Sequence, residues 1–221
     1  MGEFVAKNVI YAVSDIHGTL PVIPICDLLI IAGDICPMCD HNVDYQKTWL
    51  DTHFRKWLDE IPAKKVVGVA GNHDIIFDRN PELVPQDLRW TYLHDEMITI
   101  DEIDIYGSSL TMYGTPYQIY FGGWPFMKSE EELEILWKDM PACDIVICHG
   151  PPYGAGDQTS RGPQGSKTLA NKLQELKVKW CICGHIHENY GIHELGDTKV
   201  ANVALLDNKY KLKHPAMKIK L

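Results

Sequence analysis

The chain has 221 residues, of which 45% are hydrophobic, and its formal net charge is −9. This length can bury a core of ordinary size, so we expect a single domain over residues 1–221. The negative charge argues against binding of extended nucleic acid, and no apolar run approaches the roughly 18 residues of a membrane span, so we expect a cytoplasmic protein without a membrane partner.

The 7 cysteines are odd in number and irregularly spaced, which predicts reduced thiols rather than a disulfide framework. Cys36 and Cys39 form a CxxC pair, a pattern that also occurs in redox pairs and in half of a zinc site. The sequence has no second CxxC or CxxH, and Cys181 and Cys183 lie in a strand-like run. Free thiols are therefore the favoured interpretation.

Five short β-branched runs organise the chain, and each ends beside a residue that can bind metal. The runs cover residues 9–13, 28–32, 66–70, 145–148 and 180–183. A strand that stops in a turn of small residues delivers its next polar side chain to the rim of the sheet, where α/β folds bind their ligands. The repetition predicts one site assembled from several strand ends.

Apolar residues at helical spacing predict three helices. The first covers residues 44–60 and is stopped by Pro62. A capping-box pattern of Ser129 and Glu132 begins the second, and the third lies near residues 166–177.

Most of the remaining segments predict strands. Residues 97–100 and 103–106 form a predicted hairpin with its turn at Asp101 and Glu102, and residues 199–206 and 217–221 are predicted closing strands. Strands and helices alternate first, and mostly strands follow. This order predicts two packed sheets flanked by helices, with the site at one rim.

The polar residues at the strand ends offer oxygen and imidazole nitrogen as metal ligands. They are Asp15, His17, Asp34, Asn72, His149, His185 and His187. A donor set without thiolate suits manganese, iron, zinc, nickel or cobalt ions better than it suits a structural zinc. The set is too large for one zinc and sufficient for two ions of higher coordination number, between which the two oxygens of Asp34 form the natural bridge.

These motifs together resemble the signature of the calcineurin-like metallophosphoesterase superfamily. The motifs are Asp15-x-His17, Gly33-Asp34, Gly71-Asn72-His73-Asp74, His149-Gly150 and Gly184-His185-x-His187. The flanking residues 113–116, 122–124, 149–152, 184–188 and 200–202 are similar to the metallophosphoesterase-domain-containing family, which belongs with the class III cyclic-nucleotide phosphodiesterases. The likeness covers nearly the whole chain, about residues 9–203.

The resemblance implies an α/β fold, a four-layer α-β-β-α sandwich of two packed mixed sheets with a dinuclear metal site at one rim. It implies that one divalent ion, with manganese as the first choice, is held by Asp15, His17, Asp34 and His187. The other ion is held by Asp34, Asn72, His149 and His185. A hydroxide that bridges the ions is the implied nucleophile, and the implied catalytic residues are Asp34 and His73. His73 would protonate the leaving oxygen or steady the phosphate, while its carboxylate partner stays open.

One departure from the superfamily bears on the substrate. Phosphoprotein phosphatases carry GDxxDRG and GNHE motifs that supply arginine to a phosphomonoester dianion, whereas Asp34 here is followed by no nearby arginine and His73 by Asp74. A phosphodiester monoanion needs less positive charge, which favours a diesterase. Arg79 and Arg161 are weak substitutes, and the favoured interpretation of both is a solvated surface residue.

The sequence thus predicts a dinuclear-metal phosphodiesterase that acts on small phosphodiesters, with 2′,3′- or 3′,5′-cyclic nucleotides as the expected substrates. The alternatives are a nuclease or phosphomonoesterase with the same metal site, and a metal-binding regulatory or scaffold protein of low activity. Every motif position is filled, which argues against the scaffold, and the acidic charge argues against the nuclease.

Two further groups, the aromatic residues of one loop and the histidines outside the motifs, are not assigned to the site. Nucleobase stacking and loop packing account equally well for the aromatic residues of the loop at 117–126, which are Tyr117, Tyr120, Phe121, Trp124 and Phe126. A structural role is favoured for the remaining histidines, which are His41, His53, His94, His193 and His214.

Overall fold

The computed structural model describes residues 8–105 and 108–221, and the side chains of these residues except 102–105 and 108. The strands are β1 Ile10–Val13, β2 Cys26–Ala32, β3 Ala63–Val69, β4 Thr91–Tyr92, β5 Glu96–Ile105, β6 Ser108–Thr115, β7 Gln118–Ile119, β8 Met127–Lys128, β9 Ile145–Cys148, β10 Gln158–Thr159, β11 Gly162–Pro163, β12 Trp180–Cys183, β13 Gly191–Leu195, β14 Thr198–Asn202 and β15 Met217–Ile219.

Two mixed sheets form the centre of the fold. The first has the strand order β15-β1-β2-β3-β4, in which β1 to β4 are parallel and β15 is antiparallel. The second has the order β13-β14-β12-β9-β6-β5, with parallel inner strands and antiparallel edge strands β13 and β5. Strands that run parallel end at the same rim, so each sheet delivers its strand ends together.

The side chains of the inner strands alternate between two cores because successive strand residues face opposite sides. In β2, Leu28 and Ile30 face the second sheet, whereas Leu29 and Ile31 face helices. In β9, Ile147 packs between the sheets and Val146 faces outward. Three cores separate four layers, which confirms the predicted α-β-β-α sandwich.

Helices cover the outer face of each sheet. They are α1 Val43–Trp49, a π-helical turn Leu50–Phe54, α2 Arg55–Glu60, α3 Ile75–Arg79, α4 Glu130–Leu136 and α5 Lys167–Glu175. The predicted helix over 44–60 is the continuous run from α1 to α2, and the predicted capping box of Ser129 and Glu132 begins α4. In the described part of the chain, no helix combines the length and the apolar character that a membrane crossing requires.

The predicted hairpin with a turn at Asp101 and Glu102 is wrong. Strand β5 continues through these positions to Ile105, and its pairing with β6 shifts register between Ile100 and Asp104. A bulge therefore accommodates the polar residues inside the strand, where the sequence suggests a turn. Tyr106, which the prediction assigns to the second strand of the hairpin, lies outside the described residues.

All seven cysteines belong to the described part of the chain, and all are free thiols. Cys181 and Cys183 both pack in the core beneath α4 and α5, as their spacing in a strand predicts. Cys36 is fully buried and burial raises the pKa of its thiol well above the ordinary value, whereas Cys39 is exposed. The CxxC pair thus forms no disulfide.

Candidate metal centre

The ends of five parallel strands meet where the two sheets face each other. The predicted ligands follow these strands directly: Asp15 and His17 after β1, Asp34 after β2, Asn72 after β3, His149 after β9, and His185 and His187 after β12. The first three strands belong to one sheet and the last two to the other. Neither sheet alone carries the whole set.

The structure brings these side chains into contact around Asp15 and Asp34. The potential ligand atoms of Asp15, His17 and His187 lie within 4.8 Å of one another, as do those of Asp15, Asp34 and His149. His149 Nε2 lies 3.3 Å from Asp34 Oδ2, and His187 Nε2 lies 3.0 Å from Asp15 Oδ1. Each buried carboxylate therefore has an imidazole partner from the other sheet.

Asn72 and His185 complete the cluster at its edge. Asn72 Oδ1 lies 3.1 Å from His149 Nε2 and accepts a hydrogen bond of 3.0 Å from Gln118 Nε2, which fixes the orientation of the amide. The backbone N–H of His185 donates to Asp15 Oδ2 at 2.9 Å, and its ring centroid lies 5.0 Å from that of His149. All seven predicted residues thus occupy one place in the fold.

Four of these residues adopt left-handed backbone conformations that non-glycine residues rarely use. The φ values are 53° for Asp15, 43° for His17, 53° for Asp34 and 66° for His185. Such conformations cost on the order of 1–3 kcal/mol each and persist only where surrounding structure enforces them. The strand ends are therefore bent sharply in order to aim these side chains at a common point.

Two glycines of the motifs make room for the carboxylates. A Cβ atom at Gly71 would overlap the Asp34 carboxylate, and one at Gly184 would overlap Ser14 and the Asp15 carboxylate. The backbone approaches both acids this closely because the N–H of His73 donates a hydrogen bond to Asp34 and the N–H of His185 donates one to Asp15. Close approach explains why small residues stand beside the ligands.

Backbone carbonyl groups orient two of the imidazoles. His149 Nδ1 lies 2.8 Å from the Ala32 carbonyl oxygen, and His187 Nδ1 lies 3.0 Å from that of Asp207. In each ring Nδ1 is therefore assigned as the N–H donor, and Nε2 faces the cluster. Metal-binding histidines are held in this way, with the second ring nitrogen hydrogen-bonded to a carbonyl or carboxylate.

The titration behaviour of the cluster follows from its buried ion pairs. Burial opposes ionisation of Asp15, yet His187 holds the pKa of Asp15 well below its ordinary range. Burial likewise favours the neutral form of His149, but the Asp34 carboxylate raises the pKa of His149 to about 9. Protonated imidazoles thus balance the carboxylates, and a cation that binds here displaces those protons.

His17 provides the observation that tests whether a metal ion fits. Its side chain is 2% exposed, and neither Nδ1 nor Nε2 has a hydrogen-bond partner among the described residues. Burial lowers the pKa of His17 to about 4, so the ring is neutral and carries a free lone pair. A buried polar nitrogen without a partner is costly, and a divalent ion beside Asp15 and Asp34 would satisfy it.

His73 lies at the edge of the cluster. Its backbone N–H donates to Asp34 Oδ1 at 2.7 Å, and its ring centroid lies 4.9 Å from that of His17. Its Nδ1 lies 3.1 Å from His41 Nε2, so the described partner of His73 is an imidazole. The sequence predicts a carboxylate partner without identifying which one. No motif marks His41, and its predicted structural role omitted this contact.

Asp74 links the loops that carry Asp34 and Asn72. Its carboxylate accepts hydrogen bonds from the backbone N–H groups of Ile35 at 2.9 Å, Cys36 at 2.7 Å and Gly71 at 2.8 Å. Burial and the nearby Asp34 raise the pKa of Asp74 to about 6. Asp74 therefore positions the backbone around the ligands, and its carboxylate forms no hydrogen bond with the imidazole of His73 among the described residues.

Comparison with known proteins agrees with this geometry. Residues 9–189 match the family model described as calcineurin-like phosphoesterase. The chain belongs to this family. It is 30% identical over 240 residues to metallophosphoesterase domain-containing protein 1 of Homo sapiens, which covers 95% of this chain and 69% of that protein. It is 27% identical over 219 residues to a UPF0046 protein of Caenorhabditis elegans, covering 89% of this chain and 73% of that protein.

A solved structure shows the same fold. A protein of Thermus thermophilus has a TM-score of 0.53 and 18% identity, with 89% of each chain covered. The predicted superfamily and the metallophosphoesterase-domain-containing family are therefore confirmed, and the chain is a metal-dependent phosphoesterase. Phosphoesterases of this family use a dinuclear divalent metal site, which the acidic and histidine groups of the cluster fit.

The aromatic residues of the loop at 117–126 have different surroundings in this phosphoesterase. Tyr117 and Phe126 pack against each other with ring centroids 5.7 Å apart, so loop packing explains both. Trp124 lies 4.7 Å from the ring of His73. Phe121 lies 5.0 Å from the ring of His185, and Tyr120 is exposed beside it. Loop packing thus explains Tyr117 and Phe126, whereas nucleobase stacking remains open for Tyr120, Phe121 and Trp124, of which Phe121 and Trp124 line the cleft over the cluster.

Two cavities meet at the metal centre of the phosphoesterase. A cleft of about 250 Å³ opens over the cluster, and Tyr210, which no sequence motif marks, forms one of its walls. A larger pocket of about 650 Å³ shares Phe121 and His185 with this cleft. Arg161 lines the larger pocket, whereas Arg79 is exposed and lines neither cavity.

The other histidines that the sequence assigned to structural roles lie outside the cluster. His53 stacks on Trp49, and His214 stacks on Tyr190 at 4.1 Å. His94 contacts Tyr117, and His193 Nε2 lies 2.9 Å from the backbone oxygen of Asn189.

Proposed function

We propose that the chain hydrolyses small phosphodiesters, with 2′,3′- and 3′,5′-cyclic nucleotides as its substrates. The observation that carries the diester over the monoester is the composition of the cleft. No lysine or arginine is among the described residues that line it, although a phosphomonoester would bring a second negative charge. Burial lowers the pKa of His17 and of His73 and raises that of Tyr210, so these three residues line the cleft in their neutral forms, which suits a monoanion.

The proposed ligands divide into two sets that share Asp34. One set is Asp15, His17, Asp34 and His187, and the other is Asp34, Asn72, His149 and His185. When bound, two divalent ions supply an ionised water as nucleophile and neutralise charge on the phosphoryl oxygens. We propose manganese as the ion because the donors are oxygen and imidazole, with iron, zinc, nickel and cobalt as alternatives.

The remaining chemistry falls to His73. It lines the cleft, and with Nδ1 bonded to His41 its Nε2 is the nitrogen available to the substrate. Nε2 is proposed to hold the proton that passes to the leaving oxygen, or to steady a phosphoryl oxygen. Burial lowers the pKa of His73, which favours a neutral ring that donates through one nitrogen only.

A nucleoside substrate fits the space beside the centre. The pocket of about 650 Å³ lies within the range of small-molecule sites, and Tyr120, Phe121 and Tyr153 give it aromatic walls. The net charge of −9 disfavours long nucleic acids. Free thiols at all seven cysteines support a reducing compartment, so we propose the cytoplasm.

The test is a substrate panel with metal-stripped protein reloaded with each candidate ion. We expect hydrolysis of cyclic nucleotides, with the strained five-membered 2′,3′ ring opened faster than the 3′,5′ ring, and poor turnover of phosphoserine peptides. Preferential turnover of phosphopeptides or of long DNA would overturn the proposal. A protein that binds the ions but hydrolyses no ester would instead support the scaffold alternative.

A further inference from the structure

The pocket beside the metal centre offers aromatic walls and cationic side chains beyond the groups that would contact a cyclic mononucleotide in the cleft. It continues from the cleft across Phe121 and His185, so a molecule whose phosphoryl group lies in the cleft extends into it. Tyr120 and Tyr153 stand at its walls with 61% and 41% of their surfaces exposed. Exposed aromatic faces in a concave site are surfaces on which a nucleobase stacks.

Two cations line the same pocket. Arg161 and Lys167 are both exposed, and among the described residues neither forms an ion pair with a carboxylate. The Lys167 ammonium group lies 5.3 Å from the centroid of the Tyr153 ring. In a chain of net charge −9, two uncompensated cations in one pocket favour an anionic occupant.

The two carboxylates of the pocket do not cancel this charge. Glu130 accepts hydrogen bonds from Ser166 Oγ and from the backbone N–H groups of Lys167 and Thr168, so its charge is compensated at the start of α5. Glu188 also lines the pocket, and among the described residues it forms no ion pair with Arg161 or Lys167.

We propose that this pocket binds the nucleoside of the substrate together with a second phosphate group, held by Arg161 and Lys167. The preferred substrates are then nucleotide diesters that carry a further phosphate, such as a 2′,3′-cyclic nucleotide with a 5′-phosphate. This specificity rests on the proposed diesterase function and extends it. The scissile diester lies at the metals, the base lies against the aromatic walls, and the second phosphate meets the cations.

Binding gives a test that needs no turnover. Calorimetry on the metal-loaded protein compares adenosine 3′-monophosphate with adenosine 3′,5′-bisphosphate, which differ only in the second phosphate. We expect the bisphosphate to bind about tenfold more tightly, since hydrogen bonds to charged groups contribute at least this factor. The double variant Arg161→Ala/Lys167→Ala should lose the difference, and the control Lys138→Ala, an exposed lysine outside the pocket, should keep it.

Kinetics then links the pocket to the reaction. For wild type, 5′-phosphorylated 2′,3′-cyclic AMP should show a KM about tenfold below that of 2′,3′-cyclic AMP, and the double variant should equalise the two KM values. Equal affinities in wild type, or a preference that survives in the double variant, would overturn the pocket assignment. If the bisphosphate preference is present but no cyclic nucleotide is hydrolysed, the proposed function fails and the pocket stands.

A separate observation concerns His41. Its Nε2 lies 3.1 Å from His73 Nδ1, and the Trp124 ring lies 4.7 Å from the ring of His73 and 5.2 Å from that of His41. His41 directly precedes Asn42, the residue that caps α1, so the start of that helix anchors it. The imidazole pair thus lies against the Trp124 ring and beside the start of α1.

We infer that His41 is a positioning residue that donates its Nε2–H to His73 Nδ1. This hydrogen bond fixes the His73 tautomer in which Nε2 carries the hydrogen and faces the cleft. His41 touches no reacting atom in this role and acts through His73. The inference rests on the proposed role of His73 in the diesterase reaction.

The test compares His41→Ala, His41→Gln and the control His53→Ala, an exposed histidine in the π-helical turn Leu50–Phe54. We expect His41→Ala to lower kcat on cyclic nucleotides about tenfold to hundredfold without changing KM or metal content, as loss of an orienting partner does. His41→Gln keeps a donor and should recover much of the rate. His53→Ala should behave as wild type.

Nitrogen-15 NMR of the His73 ring adds a readout that is independent of turnover. Wild type should show hydrogen on Nε2, and His41→Ala should show a mixture of tautomers. Equal losses in His41→Ala and His41→Gln, or an unchanged tautomer, would overturn the positioning role. An inactive wild type with the expected tautomer would count against the proposed reaction only.

Discussion

Two carboxylates determine the character of the centre at the scale of residues. Asp15 and Asp34 are almost completely buried, and their charges are met by His187 and His149 from the opposite sheet. A buried acid with one imidazole partner is stable only while that imidazole keeps its proton. A divalent ion replaces that proton and also meets the free nitrogen of His17, so the cluster is prepared for cations.

Replacement of the shared acid should empty both positions. In Asp34→Ala the proposed bridge and a charge between the ions are lost together, so we expect less than one ion per chain by elemental analysis. Asp78→Ala, which removes an exposed acid on α3, serves as the control and should keep its metals. Two ions per chain with full activity in Asp34→Ala would show that the bridge is misassigned.

Loss of His73 should separate metal binding from leaving-group chemistry. His73→Ala keeps all proposed ligands, so we expect normal metal content and a rate on cyclic nucleotides that falls roughly 10²–10⁴-fold. A nitrophenyl diester has a leaving group that needs little protonation, and its rate should fall less. Equal falls on both substrates would remove the general-acid role of His73.

At the scale of elements, α4 and α5 are joined by one carboxylate. Glu130, in the first turn of α4, accepts hydrogen bonds from the start of α5, including the Lys167 N–H at 2.7 Å. Burial opposes its ionisation, but these donors lower the pKa of Glu130. Glu130 thereby caps a helix that is distant in sequence, and it also lines the pocket of about 650 Å³.

Glu130→Gln should therefore destabilise the protein in a pH-dependent way. We expect a loss of about 1 kcal/mol at pH 7 by urea denaturation, the magnitude of a capping interaction partly screened by solvent. The folded pKa is lowered, so this stability is fully present above the ordinary carboxyl pKa and is lost as pH falls through the folded value. The difference between wild type and variant should thus shrink below about pH 4.

Glu131→Gln is the matched control for this measurement. Glu131 is the exposed neighbour on the same helical turn and makes no contact with α5. It should change stability by less than about 0.5 kcal/mol. A pH-independent loss in Glu130→Gln would mean that packing, and not the charge, joins the two helices.

The sequence predicted the elements whose signals are local. Neighbouring residues alone specify the capping box at Ser129 and the buried runs of β2, β9 and β12, and the predicted bounds of these features agree closely with the structure. The turn assigned at Asp101 failed because a bulge depends on the partner strand. Contacts between distant residues, such as His41 with His73, leave no periodic or motif signal at all.

The same limit applies to the site. Its proposed ligands were recognisable because each follows a buried run and belongs to a short motif, so local sequence identifies them. The pocket of about 650 Å³ beside them was not, since tertiary packing alone brings together its lining from the segments around Phe121, Tyr153, Arg161 and Ile186 and from the starts of α4 and α5. Asn202 belongs to the residues 200–202 that carry the family resemblance, but only the fold shows that its amide lies within hydrogen-bond distance of the carbonyls of Gly156, Gly184 and Ile186.

At the scale of the molecule, metal binding should stabilise the whole fold. The proposed ligands come from both sheets, so an ion held between them binds the folded chain and not the unfolded one. At a free metal concentration of 100 times Kd the expected gain is about 2.7 kcal/mol per ion, and it should appear as a higher Tm in thermal unfolding with manganese than with a chelator.

Asp34→Ala supplies the control for this effect. Its Tm should respond little to manganese, because the residue proposed to hold both ions is absent. A wild-type Tm that is the same with manganese and with a chelator would show that the ions do not couple the sheets.

The hydrogen bond from His149 to the Ala32 carbonyl crosses from one sheet to the other at the centre of the site. The three proposed ligands that the second sheet supplies, His149, His185 and His187, cannot join the four of the first sheet until the two sheets have docked, whatever secondary structure has already formed. Catalysis then reports the completion of tertiary assembly. A compact intermediate with native helices and strands but loose packing between the sheets should therefore neither bind metal nor hydrolyse phosphoesters. Activity thus reports whether the two sheets are packed as in the native fold.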